Sequence, residues 1–347
     1  MNDAERIMDL ENRTNTGIME KAAPYLDQLK AGRRKLEESA RRTVRPREMW
    51  QKIGESARSA AKICAKSAEN AVQDALEKVT GIDAAGKDGK KSPGSRSYAL
   101  ITGASSGIGM EFARRLSLEG YPLILVARRR DRLEALRTEL GTECLLLPAD
   151  LQRREDLIRL CEDLVGRRIE IFINNAGFGV AGPFLGTELM REIGMVDVNV
   201  TAQHVLLKYV LHRMQAEGGG SILNVASAAG LLPGGPYMSG YYATKAYIAS
   251  LTRGVAEELR EGKSPVYVGC LCPGPVDTEF NAVADVSFAL PGISAEYCVD
   301  YALRMMEKKR TVIIPGWQMQ LAVLGGRFLP DALTVRLTGA QQKKKLG

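Results

Sequence analysis

Tyr241 and Lys245 stand four residues apart in a helix-prone run, a spacing that brings both side chains to one face of a helix. A phenol with an ordinary pKa of about 10 is a reluctant base near neutral pH. An ammonium about 4 Å away, at an effective dielectric near 20, favours the phenolate by roughly 4 kcal/mol, or about three pKa units. The pair is therefore expected to donate and accept a proton near neutrality. Tyr242 is the adjacent competitor, but it has no lysine four residues on and would point about 100° away around the helix.

A second chemical signal lies far upstream, where the apolar run 98–101 leads directly into Thr102-Gly103-Ala104-Ser105-Ser106-Gly107-Ile108-Gly109 and then a helical pattern. Glycines in such a turn permit a tight bend and let the backbone approach a pyrophosphate, while the helix N-terminus offers unpaired N–H groups. Gly103, Ser105, Ser106, Gly107, Ile108 and Gly109 are thus expected to hold a dinucleotide. At the end of the second strand an acidic residue would accept from the free 2'-hydroxyl of NAD. The run there is Val126-Ala127-Arg128-Arg129-Arg130, and Arg128 can pair with a 2'-phosphate, which favours NADP (NADPH). Arg130, and with it Arg129, reads as the exposed start of the next helix.

The elements that must position these groups follow from the apolar pattern. Strand-like runs at 98–101, 123–127, 144–147, 169–173, 221–225, 266–271 and 311–314 alternate with helical patterns at 108–118, 129–140, 155–165, 198–214, 241–260 and 295–308. Seven strands alternating with helices predict an α/β fold, a doubly wound, mostly parallel sheet with ligands at the carboxyl ends of its strands. Before it, residues 1–80 read as a helical extension, with Pro24 a helix start or break and a narrow stripe of Met49, Ile53, Ala57, Ala60 and Cys64 on one helix face. Residues 81–96 are rich in Gly, Ser and Lys and read as a linker, leaving 97–315 as the catalytic domain and 316–347 as a helical tail. In that tail Trp317, Leu321, Leu324, Phe328 and Leu329 suggest one amphipathic helix over 317–337 whose apolar face covers the site, forms an oligomer face or meets a membrane surface, the first being the preferred reading. Phe280, Phe288 and Leu290 mark the segment 279–292 as a lid over an apolar substrate.

The glycine-rich turn, followed by Asn174-Asn175-Ala176-Gly177, Asn199, Ser227, Tyr241-x-x-x-Lys245 and Pro273-Gly274, resembles the short-chain dehydrogenase/reductase family over about residues 97–315. The resemblance implies a Rossmann-type domain that binds NAD(P) and interconverts ketones and secondary alcohols. Hydride delivery to a ketone leaves an alkoxide that needs a proton, which suits the phenol of Tyr241. The resemblance also gives Lys245 the nicotinamide ribose, Ser227 the substrate oxygen, and Asn199 a water that connects Lys245 to solvent. It adds Asp150 and Leu151 beside the adenine, Asn175, Ala176 and Gly177 along the cofactor, and Pro273, Gly274, Val276 and Thr278 around the nicotinamide. One residue more than the family's commonest spacing separates Ser227 from Tyr241, and Gly234-Gly235 offers a place for it. A rival reading is a catalytically idle Rossmann protein that acts on partners through its N-terminal helices; idle members would be expected to lose Tyr241 or Lys245, and both are here.

Composition bounds the rest. The chain has 347 residues, 45% apolar and 26% charged, and 48 Lys and Arg against 41 Asp and Glu leave a formal charge of +7. That surplus is dispersed rather than gathered in a basic stripe, which argues against nucleic acid as a partner. No apolar run reaches the roughly 18 residues of a membrane helix, and the first residues lack the apolar core of a signal peptide. Six scattered cysteines and two histidines offer neither a disulfide framework nor a metal site. The expectation is a cytoplasmic enzyme with reduced thiols, a small carbonyl or alcohol substrate and a homo-oligomeric state.

Overall fold

The computed structural model describes residues 97–279 and 292–343. The expected N-terminal helices, the linker and, apart from its two ends, the lid segment lie outside the described residues. Seven parallel strands form one sheet in the order β3-β2-β1-β4-β5-β6-β7. They are β1 (Ser97–Thr102), β2 (Leu123–Ala127), β3 (Cys144–Pro148), β4 (Arg168–Asn174), β5 (Gly220–Val225), β6 (Val266–Leu271) and β7 (Val312–Ile313).

The near-continuous apolar runs are explained by burial on both faces of the sheet. Because side chains alternate along a strand, Leu100, Ile124, Phe172, Ile222 and Val268 share one face and Ile101, Leu125, Ile173, Leu223 and Leu271 the other. The first face packs against α3 (Arg154–Asp163), α5 (Gln203–Ala216) and α6 (Ser239–Glu261) through residues such as Leu160, Leu206 and Leu259. The second packs against α1 (Gly107–Leu118), α2 (Arg130–Glu139) and α7 (Ala295–Glu307) through Phe112, Leu133 and Val299. After β3 the chain returns to the far side of β1, so the strand order reverses between β1 and β4. A crevice must open at the carboxyl ends there, because successive connections leave in opposite directions.

Two expected elements differ from the sequence reading. The helix read over 198–214 begins earlier, as α4 (Leu189–Val196), and runs through a π-helical turn at Asp197–Ala202 into α5. The tail is two helices, α8 (Trp317–Gly326) and α9 (Asp331–Lys343), rather than one. Pro330 has no N–H to continue α8, and its carbonyl instead accepts from Leu333 and Thr334 at the start of α9. The apolar side chains Trp317, Leu321, Leu324, Phe328 and Leu329 are exposed, whereas α9 turns inward a row of Thr334, Thr338 and Gln342. Their spacing of four puts all three on one helix face. No helix among the described residues is long and apolar enough to cross a membrane.

Candidate functional site

At the crevice, β1 ends in Thr102 and the chain enters the glycine turn with left-handed backbone at Gly103 (φ 68°) and Gly107 (φ 55°), which a residue with a Cβ adopts only under strain. A Cβ on Gly109 would lie 2.4 Å from the Gly103 carbonyl oxygen and 2.5 Å from Asn175 Nδ2. Gly109 therefore lets α1 begin directly against the strand ends. Asn175 Nδ2 donates to the Thr102 carbonyl at 2.9 Å, and Thr102 Oγ1 accepts from Asn175 N at 2.9 Å and Ala176 N at 3.1 Å. These bonds tie the β4 end to the glycine turn. Ser106 caps α1 without a side-chain hydrogen bond, leaving first-turn N–H groups available to an anion.

The resulting cleft has a volume of about 370 Å³ and is lined by Gly103, Ser105, Ser106, Gly107 and Ile108 at the turn. Arg128, Asp150, Leu151, Asn175, Ala176 and Gly177 continue it along the strand ends, and Ser227, Tyr241, Lys245, Pro273, Gly274, Val276 and Thr278 complete it. Of the residues expected at the site, only Gly109 and Asn199 do not line the cleft. The free N–H groups of the turn and the run of this lining along the strand ends suit an extended dinucleotide, and a Cβ on Gly107 would meet the Thr278 side chain at 3.1 Å, so only glycine lets the turn come this close to that wall. Asp150 also holds its own loop, since its carboxylate accepts from Gln152 N at 3.1 Å.

Asn199 lies buried in the π-helical turn. Its Oδ1 accepts from Phe178 N at 3.0 Å, and its Nδ2 donates to the Phe178 carbonyl at 2.8 Å and to Thr244 Oγ1 at 3.1 Å. It thus rivets the loop after β4 to α6. A Cβ on Gly177 would meet Asn199 Oδ1 at 2.8 Å and Lys245 Nζ at 3.3 Å, so this glycine separates two polar atoms that a larger residue would displace.

Ser227 follows β5 and caps a short 3₁₀ turn, its Oγ accepting from Ala229 N at 3.1 Å. Tyr241 and Lys245 lie on the buried face of α6, one turn apart. Burial pushes the Tyr241 phenol up to about 12, partly offset by a hydrogen bond from Ser227. This upward push of burial opposes the depression expected from Lys245. The Lys245 ammonium lies 5.9 Å from the centroid of the Tyr241 ring and donates to the Val225 carbonyl at 2.9 Å. Burial draws that ammonium down to about 8, against a smaller opposing effect of Cys272.

Three features escaped the sequence. Arg129, read as a helix start, lines the cleft; its Nη2 is 3.4 Å from Ser105 Oγ and 3.5 Å from Glu279, which Arg132 also binds at 2.6 Å. Gly235 allows a close approach, because a Cβ there would fall 2.3 Å from the Tyr242 ring, while Tyr237 takes the left-handed backbone (φ 66°). Lastly, the tail, expected over the site with an apolar stripe, lines the cleft with Met319, Gln341 and Gln342, and Gln342 Nε2 donates to the Tyr242 hydroxyl at 2.8 Å. Only partner distances could have shown any of these.

The short chain dehydrogenase family model matches residues 97–286. A very-long-chain 3-oxoacyl-CoA reductase of Anas platyrhynchos is 30% identical over 208 residues, spanning 57% of this chain and 66% of that relative. A solved short-chain dehydrogenase from Sphingobium yanoikuyae in complex with NADPH is 35% identical, with a TM-score of 0.60 over 67% of this chain and 93% of that one. The bulky-bulky ketone specific alcohol dehydrogenase from Comamonas testosteroni is 32% identical, with a TM-score of 0.57 over 67% and 92%. The match covers more than half of the sequence and includes the glycine turn, Ser227, Tyr241 and Lys245, so the chain belongs to the short-chain dehydrogenase/reductase family, oxidoreductases that act on CH–OH groups with a nicotinamide cofactor.

Proposed function

We propose that this chain is an NADP(H)-dependent oxidoreductase that interconverts an apolar ketone and its secondary alcohol. One observation carries the reading: Ser227, Tyr241 and Lys245 meet in a single cleft whose walls also include the glycine turn and Arg128. When bound, the nicotinamide cofactor supplies or takes up the hydride. The chain's own groups do the rest. Tyr241, kept neutral by burial, gives its phenolic proton to the carbonyl oxygen during reduction, and Ser227 holds that oxygen by a neutral hydrogen bond that strengthens as charge develops. Lys245 holds the ribose and supplies positive charge near the phenol, and Asn199 orients a water behind it.

For the cofactor, Gly103, Ser105, Ser106, Gly107 and Ile108 hold the pyrophosphate, with Gly109 keeping the helix close. Asp150 and Leu151 bound the adenine, and Asn175, Ala176 and Gly177 border the ribose. Pro273, Gly274, Val276 and Thr278 surround the nicotinamide. Arg128 binds the 2'-phosphate, with Arg129 beside it. Apolar substrate lining comes from Phe178, Leu232, Met238 and Met319. This lining, with the ketone and 3-oxoacyl chemistry named for the relatives, supports a bulky apolar carbonyl compound. A panel of bulky ketones with NADPH, followed at the nicotinamide absorbance, tests the reading. Oxidation of NADPH by the parent but not by Tyr241→Phe is expected, and no turnover across the panel overturns it.

A further inference from the structure

We propose that Tyr242 and Gln342 form a second polar subsite beside the acid–base tyrosine, one that binds a hydroxyl group carried by the ketone substrate away from its reacting carbonyl. The inference rests on the ketone-reductase reading above and deepens it.

Gln342 lies in the last turn of α9 and is only 4% exposed, yet it lines the cleft. Its Nε2 donates to the Tyr242 hydroxyl at 2.8 Å, while its Oε1 has no hydrogen-bond partner among the described residues. A buried carboxamide oxygen without a partner is costly, and because Gln342 forms part of the cleft wall, a ligand hydroxyl that reaches this oxygen from the cleft relieves that cost. The Tyr242 oxygen, already accepting from the amide, keeps its own O–H proton for another acceptor. The pair therefore offers one acceptor and one donor. Turning the amide through 180° exchanges which residue supplies which, but leaves one of each. A hydroxyl satisfies both at once, whereas a ketone or ether oxygen satisfies only the donor.

The surroundings are apolar and fixed. Tyr242 packs in one cluster with Met238, Tyr241 and Val180, and Gly235 leaves room for its ring. On the other side, Thr338 Oγ1 donates to the Gly234 carbonyl at 2.8 Å and locks α9 to that loop. A polar pair held rigid within an apolar lining discriminates strongly, because a substrate lacking the matching group leaves it unpaired.

The test uses the full chain, an androstanone, and the same ketone bearing a distal hydroxyl. Binding to the NADP-saturated protein is measured by calorimetry, and kcat/KM with NADPH. The parent should favour the hydroxylated ketone by about tenfold or more in both measurements. Gln342→Leu and Tyr242→Phe should each bring the ratio close to one, and the double variant should add little, since the pair acts as a unit. No preference in the parent, or a preference that survives both substitutions, overturns the subsite even if either ketone is reduced. Selective binding lost in the variants, with neither ketone turned over, instead supports the subsite and overturns the reductase reading.

Discussion

Lys245 donates to the carbonyl of Val225 at 2.9 Å, so the ammonium of α6 is fastened to the end of β5. The fold holds a buried cation there at a cost, because its pKa is drawn from 10.5 to about 8. Between those values the unfolded chain binds more protons than the folded one, so stability gains as pH rises from 8 to 10.5 and is lost as pH falls through 8. Lys245→Met should therefore stabilise the protein at pH 7 by up to about 3 kcal/mol, less the lost hydrogen bond. Urea melts at pH 7 and pH 10 check this. The gain should shrink at the higher pH, and a pH-independent effect would refute the assignment.

Tyr241→Phe removes the proton donor and little else. Turnover should fall by about 10² to 10⁴-fold. Cofactor affinity, measured by fluorescence titration, should stay within about twofold, since the phenol is not charged. Lys245→Ala should impair both turnover and cofactor affinity. An inactive Tyr242→Phe beside an active Tyr241→Phe would transfer the acid role to the neighbour.

Arg128 lines the cleft just after β2, and Arg129 beside it is partly engaged by Glu279. Arg128→Asp should replace attraction for a 2'-phosphate by repulsion and move the NADPH-to-NADH affinity ratio by about ten- to a hundredfold toward NADH. Arg129→Ala should shift it less, because an incoming phosphate must compete with Glu279 for that guanidinium. Titrations with both cofactors decide the matter, and equal affinity of the parent for NADH and NADPH would defeat it.

Gly109→Ala sets a methyl group against the Gly103 carbonyl and the Asn175 amide at 2.4 and 2.5 Å. A backbone oxygen cannot move aside as a flexible side chain would, so a loss of about 1–3 kcal/mol is expected, with weakened cofactor binding. Gly254 in α6 has open space around its Cα. Gly254→Ala should accordingly stabilise the helix by up to about 1 kcal/mol. Denaturant unfolding of both variants gives the comparison.

The seven strands and most of the helices between them are legible in the sequence, because strands buried on both faces must be continuously apolar and the helices packed on them must be amphipathic. It also disclosed the glycine turn and the Tyr241–Lys245 spacing, since backbone conformation and helical periodicity are local properties. What surrounds those groups depends on contacts between distant segments. Tyr241 was expected near neutrality from one assumed ammonium, but burial by the whole fold pushes the phenol the other way, to about 12. The inward face of α9 was likewise illegible: the apolar residues singled out in the tail all precede it, and Thr334, Thr338 and Gln342 turn inward. Gly234 and Tyr242 receive the hydrogen bonds of Thr338 and Gln342 from about a hundred residues away. Periodicity can show that a helix has two faces, but which face is buried depends on partners that only the folded chain brings within reach.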